Sequence, residues 1–508
     1  MISPGDSAQV KVAKGAAIIF VGLVFARLVN YSYQILVTRI AGASEFGLFF
    51  LGVSTLAVTA GIAVLGFDSG VARFAPYYIG GKQKSQLLGV LRGAFLLSLL
   101  NGIVAGVLLW LLSGTLAGIY FGDQADRGVV IIRICAVSLP FAVSRRVLVK
   151  SIVAFQKIGY RVAVNEFTGP LIRLTLTAAL LGAGMAAEGA ILAYVASELV
   201  CWAALLWLLQ KKVHPLFGSG GGGFNFKPFV IYCLPLVLSG LVMQVMNYID
   251  AFMAGYFLDT EQVGIFAAAA RLAALVALGT ELLNPLFLSI TTGAFAQGND
   301  QVVGDTFNNN NRWYLFLGLP VVCLLALLAP QAMTLVWGNQ FGEGANVLAM
   351  LAVGRAIYYL SVTSSLLLAM HTRTKLILVL NITAAITNCT LNWLLIPRLG
   401  IEGAALATSC SLVLHALLMI IAARLAHGQG GLRIFFPRVF AAAVPGCLLV
   451  LWVRSLALDA LPTLILGGLL YCLAFPLALK VFGAYHEHDR QILRQIGRRL
   501  GLISEHGD

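Results

Sequence analysis

The sequence predicts an all-α polytopic membrane protein of about 14 transmembrane helices: two six-helix lobes related by an internal parallel repeat, followed by two extra C-terminal helices. Three observations carry that expectation. The 508 residues are 59% hydrophobic and only 11% charged, against roughly 25% charged in a soluble domain, and the mean hydropathy is +0.90. Apolar stretches of spanning length recur from end to end with short polar breaks. The chain also resembles itself at a nearly fixed offset.

A membrane helix needs about 20 apolar residues. Segments of that kind lie near 15–38, 46–67, 88–112, 129–150, 163–184, 187–209, 229–256, 263–290, 313–337, 344–369, 376–396, 401–423, 434–454 and 461–482. Lys11 and Lys14 precede the first, but it is too long for a signal peptide and no A-x-A site follows, so it reads as a retained span. Placing both termini in the cytoplasm leaves only Arg39, Arg127, Arg133, Arg398 and Arg454 outside, puts Arg27, Arg173, Arg271 and Arg355 within spans, and gathers the remaining basic residues, Arg145 and Arg146 among them, on the cytoplasmic side. The net charge of +13 is thereby topological, and no nucleic-acid partner is expected. The eight cysteines sit in apolar segments without metal-ligand spacing and read as packing residues. The outer loops are too short for a folded catalytic domain, which disfavours a membrane transferase.

The repeat sets the organisation. Asn30-Tyr31 matches Asn247-Tyr248 at an offset of 217, as do Gly47 with Gly264 and Phe49 with Phe266. Glu188-Gly189-Ala190 and Ala193 match Glu402-Gly403-Ala404 and Ala407 at an offset of 214. The expected domains are an N-terminal lobe 1–212, a Gly-rich cytoplasmic linker 213–228, a C-terminal lobe 229–426, two further spans in 427–482, and a basic amphipathic tail 483–508 with Ile492, Ile496, Leu500 and Ile503 on one face. The glycines of Gly218–Gly223 have neither the preceding strand nor the following Lys-Ser or Lys-Thr of a phosphate loop, so they read as a linker. Transporters built from parallel repeats keep their substrate where the repeats meet.

Within the first span, Arg27, Asn30, Tyr31, Gln34 and Thr38 share one helical face. A charge at membrane depth costs on the order of 3 kcal/mol or more, so this stripe must face protein or water. By the offset of 217, Arg27 maps onto Gln244, which makes the cationic position specific to the first half. Asp250, Glu281 and Glu198 are intramembrane carboxylates, the default candidates for ion coupling. Asp250 has structural pairing with Arg271 or Arg355 as its alternative. Asn381, Asn388 and Asn392 form a second polar stripe, best read as glue between helices. His415 stands alone and reads as structural. Arg173 is expected to pair with Glu166, seven residues earlier on the same face.

The stretches Ile35–Phe49, Gly70–Ala75, Asp250–Phe266 and Ile396–Thr408 together resemble the Wzx-type lipid-linked oligosaccharide flippases of the multidrug/oligosaccharidyl-lipid/polysaccharide superfamily, relatives of the multidrug antiporters and the lipid II flippase. The resemblance implies two six-helix lobes working by alternating access without ATP hydrolysis. It implies a substrate linked to undecaprenyl pyrophosphate, moved from the inner to the outer leaflet of a bacterial cytoplasmic membrane for O-antigen or exopolysaccharide synthesis. Polysaccharide polymerase and chain-length proteins would be partners. No cofactor is implied beyond a coupling H+ or Na+. Arginine forks suit a pyrophosphate, so the substrate-binding candidates are Arg27, Asn30, Tyr31 and Gln34 with Gln244, Asn247, Arg271, Arg355 and Tyr359. The lipid II flippase has cavity arginines in its first and eighth helices, where Arg27 and Arg271 fall here. Its sodium site, carried across, would involve Asn247, Asn388 and Thr408, and this chain offers no carboxylate in span eleven. The alternatives are a multidrug or organic-cation antiporter, whose cavity the arginines would make repulsive, and a non-transporting scaffold of a polysaccharide assembly complex, which has no use for four intramembrane arginines.

Overall fold

The computed structural model describes residues 4–213, 216, 226–427 and 436–485. Most of the expected linker 213–228, and the expected amphipathic tail beyond Tyr485, lie outside the described residues. Helix follows helix, with no strand among the described residues: α1 (Pro4–Ala41), α2 (Ala43–Ala63), α3 (Phe67–Gly80), α4 (Lys84–Leu111), α5 (Ser113–Tyr120), α6 (Ala125–Ala154), α7 (Ile158–Val162), α8 (Gly169–Gly182), α9 (Ala187–Leu208), α10 (Phe226–Phe257), α11 (Thr260–Ala273), α12 (Leu278–Ala296), α13 (Asp300–Leu327), α14 (Ala329–Trp337), α15 (Ala345–Met370), α16 (Thr374–His427), α17 (Phe436–Ser455) and α18 (Ala460–Val481). A π-helical turn, Ala163–Thr168, joins α7 to α8, and a 3-10 turn, Ala274–Ala277, joins α11 to α12.

Eleven stretches among the described residues are long and apolar enough to cross a bilayer. Three places separate that figure from the fourteen expected segments. The fifth segment is less apolar, with Arg161, Asn165, Glu166 and Arg173 along Ile158–Gly182. The seventh, α10, has side chains that are described only in part. The eleventh and twelfth both lie in α16, which is two helices divided at Gly400, whose φ 58°, ψ −136° is non-helical and turns the chain.

The chain divides into two compact units, one of residues up to Ala267 with Asn392–Ala404, the other of Ala268–Leu391 with the residues from Ala405 on. In the first unit α6 is the central helix, packed by α2, α4, α5 and α9. Its Ile131, Leu139, Val147 and Ile152 are fully buried. Helix α10 belongs here because Phe229 and Tyr232 pack on Phe67 and Phe74 of α3, with the Arg73 guanidinium 4.3 Å from the Tyr232 ring centre. One face of α4, with Leu96, Leu100, Ile103, Val107 and Leu111, is exposed. A water-soluble protein would not leave such a stripe bare; hydrocarbon is its solvent.

In the second unit α17 and α18 pack on α13 and α14 around Phe316, Leu328, Val450, Tyr471 and Phe475. A separate core joins α12, α13, α15 and α16 through Phe287, Phe307, Leu368 and Met419. Lipid tails are as apolar as these side chains, so close packing and hydrogen bonds, rather than escape from water, hold such helices together.

Candidate functional site

The polar stripe of α1 is turned into the first unit. Gln34 and Thr38 are buried, and Arg27, Asn30 and Tyr31 are half-buried. Helix α1 lies along α8, with Phe25 stacked on Phe167 of the π turn at 4.6 Å. That contact sets the register and brings Asn30 beside Arg173: Arg173 Nη1 donates to Asn30 Oδ1 at 3.3 Å.

Arg173 does not pair with Glu166, as helical spacing suggested. Glu166 faces Arg161, at 3.6 Å. The carboxylate beside Arg173 is Glu198 of α9, whose side chain is only 7% exposed. Neighbouring packed helices meet more closely than residues two turns apart on one helix, and α8 packs directly on α9. Arg145 supplies a second guanidinium. Its Nε lies 2.8 Å from Glu198 Oε2, its Nη2 donates to Glu198 Oε1 at 3.2 Å, and its Nη1 donates to Asn165 Oδ1 at 3.0 Å. Asn165 stands on the π turn, whose extra residue per turn redirects side chains locally. Arg145, expected toward the cytoplasmic side, lies in the C-terminal part of α6 (Ala125–Ala154), within the segment expected at 129–150.

The cluster therefore holds two guanidiniums and one carboxylate, a surplus of one positive charge. Arg173 Nε also donates to Ser197 Oγ at 3.3 Å. Its guanidinium sits 4.0 Å from the Tyr194 ring centre and 5.5 Å from that of Tyr33, a cation–π setting that suits a partly desolvated arginine.

On α10, Gln244 Nε2 donates to the Ala57 carbonyl of α2 at 2.6 Å, so this side chain holds two helices together. Asn247 is exposed. Asp250 Oδ1 accepts a hydrogen bond from Asn392 Nδ2 of α16 at 2.8 Å, a partner the sequence reading did not name.

In the second unit, Arg355 Nη1 donates to the Ala270 carbonyl at 3.0 Å. The 3-10 turn that follows α11 disturbs the regular ladder there, and a guanidinium at such a helix end satisfies a freed carbonyl. Arg271 is the next residue and is half-buried. Tyr359 is half-buried, its ring 5.4 Å from that of Tyr358. Glu281 is exposed. Asn388 Nδ2 donates to Ser411 Oγ at 3.2 Å, and Ser411 Oγ donates to the Thr408 carbonyl at 2.8 Å; His415 Nε2 and Asn381 Oδ1 are 2.8 Å apart. These contacts fasten one limb of α16 to the other. No group of three His, Cys, Asp or Glu among the described residues is placed to hold a metal.

Two features missed by sequence reasoning lie at the opposite end of the first unit. Arg127 of α6 bridges Glu45 of α2 (2.5 and 2.8 Å) and Glu188 of α9 (both 2.8 Å), and Glu45 also accepts from the Ala187 amide at 2.9 Å. Both acids stand in the first turn of their helices, where the dipole favours them. Next to this clasp α2 meets α11, with the Ser44 and Thr260 hydroxyl oxygens 2.8 Å apart. A Cβ on Gly47 would run into the Thr260 carbonyl, and one on Gly264 into that of Ala43. The two glycines and the two carbonyl-bearing residues each exchange under the offset of 217. Glycine is needed at both positions for this approach of backbones.

Over 453 residues the chain is 22% identical to the lipid II flippase MurJ of Bacillus subtilis (strain 168), covering 81% of this chain and 82% of that one. It is 23% identical over 418 residues to a Haloferax volcanii protein named "Probable low-salt glycan biosynthesis flippase Agl15", covering 80% and 82%. The fold matches that of the lipid II flippase MurJ in an inward closed conformation with a TM-score of 0.74 at 15% identity, over 92% of this chain and 98% of that one. The model of the polysaccharide biosynthesis protein family matches residues 36–346, more than half of the sequence, and the chain belongs to that family.

Proposed function

We propose that this chain is a flippase that moves an undecaprenyl-pyrophosphate-linked oligosaccharide from the cytoplasmic to the outer leaflet of a bacterial cytoplasmic membrane, by alternating access, for surface polysaccharide synthesis. Its family and its flippase relatives support the class. The observation that carries the substrate reading is the first unit's cationic surplus: Arg145 and Arg173 share one carboxylate beside the stripe of Arg27, Asn30, Tyr31 and Gln34. Taking a bare phosphate into hydrocarbon costs tens of kcal/mol by Born solvation, and guanidinium forks replace the lost water with bidentate hydrogen bonds. Arg271 and Arg355 are the candidate arginines of the other unit. An organic cation would meet repulsion at the first unit's cluster.

Coupling to H+ or Na+ has its best candidate in Asp250, ahead of Glu281. The Asp250 carboxylate accepts from Asn392, eight residues before the bend of α16 at Gly400, so loading it with a cation would act on a helix that already has a flexion point. Glu198, the third intramembrane carboxylate, is committed to two arginines. The test is transfer of a fluorescent prenyl-diphosphate oligosaccharide between leaflets of proteoliposomes. Arg27→Ala and Arg271→Ala should abolish it while the protein still inserts; unaltered transfer in the double variant would refute the anion reading.

A further inference from the structure

The two arginines around Glu198 are held very differently. Arg145 engages both oxygens of Glu198, at 2.8 and 3.2 Å, and Asn165 at 3.0 Å. Arg173 reaches Glu198 at 3.5 Å, Asn30 at 3.3 Å and Ser197 at 3.3 Å. Charge-assisted N–H···O bonds normally run to about 2.7–2.9 Å, so Arg173 makes no short hydrogen bond among these. Its guanidinium also packs against the rings of Tyr194 and Tyr33, so each of its three nitrogens has only a long contact to exchange for a stronger acceptor. Glu166, the other nearby acid, faces Arg161.

We infer that Arg173 is a direct ligand of the substrate's diphosphate. Its edge binds phosphate oxygens on the α1 stripe, next to Asn30 and one helical turn from Arg27, and gives up its long contact to Glu198 in doing so. Glu198 stays on Arg145, which anchors it; the Asn30 amide supplies an N–H donor to the same anion. Two forks, Arg27 and Arg173, then match two phosphates, where the sequence alone offered one cation on this face. This deepens the flippase reading and rests on it.

The test is binding of farnesyl diphosphate to the full-length protein in nanodiscs of zwitterionic lipid, with inorganic pyrophosphate and farnesol as separate arms. Wild type should bind farnesyl diphosphate, and Arg173→Gln should weaken it at least tenfold with an unfolding temperature close to wild type, because Glu198 keeps Arg145. Arg173→Lys, which keeps the buried charge and lacks the fork, should weaken binding at least threefold and serves where the glutamine variant does not fold. Wild-type affinity in both variants would overturn the assignment while leaving the flippase reading in place. No binding by wild type would overturn both. Pyrophosphate bound as tightly as farnesyl diphosphate, with the same dependence on Arg173, would overturn the lipid-borne source of the anion.

Discussion

Replacing Glu198 by glutamine separates the two arginines energetically. The side chain keeps its volume and loses its charge, so two guanidiniums remain in a protein interior without their shared carboxylate. Breaking a buried ion pair by removing one partner costs about 3–5 kcal/mol. At roughly 2–4 °C per kcal/mol for a unit of this size, the unfolding midpoint falls by on the order of 10 °C. Arg145→Gln costs less, about 1–3 kcal/mol, since Glu198 still has Arg173 within reach. The apportionment comes from double-mutant cycles measured by thermal unfolding in nanodiscs. The 2.8 Å two-oxygen contact predicts a Glu198–Arg145 coupling of about 2 kcal/mol or more, and the 3.5 Å contact predicts a Glu198–Arg173 coupling below about 1 kcal/mol. Equal couplings would mean that Glu198 neutralises both arginines alike, and Arg173 would lose its standing as the surplus cation.

Ser44→Cys combined with Thr260→Cys should form a disulfide under mild oxidation, since the hydroxyl oxygens lie 2.8 Å apart; transfer should stop when the link forms and return on reduction, whereas full transfer in the linked protein would take this contact out of the transport cycle. Arg127→Ala leaves Glu45 and Glu188 facing each other and should lower stability by about 1–3 kcal/mol, with partial rescue by Glu188→Gln, read as an unfolding midpoint. Asp250→Asn should flatten the dependence of transfer on imposed proton or sodium gradients; an undiminished gradient response would remove Asp250 from coupling.

The fold was legible because a membrane leaves the sequence few options: apolar segments of spanning length must be helices. The polar stripe of α1 was legible for the same reason, since five polar residues on one line of a greasy helix need a partner. Its partner was not legible. Spacing along one helix pointed Arg173 at Glu166, while the packing of α8 on α9 delivers Glu198. Arg145 was counted among the cytoplasmic basic residues, and its pairing with Glu198 of α9 follows from how α6 packs on α9, which no spacing along the chain reveals. The π turn that aims Asn165 at Arg145 has no sequence signature that periodicity can detect. The repeated glycines were visible as a match at a fixed offset, but that they approach each other's neighbouring carbonyls is a fact of tertiary geometry.

The most direct measurement is leaflet transfer itself. Purified protein is reconstituted into vesicles carrying a fluorescent prenyl-diphosphate oligosaccharide in one leaflet, and the label reaching the other is followed with a membrane-impermeant quencher. The account predicts rapid transfer by wild type and a rate near that of protein-free vesicles for Arg27→Ala with Arg271→Ala. Label that stays in the donor leaflet with wild-type protein under both proton and sodium gradients would contradict it.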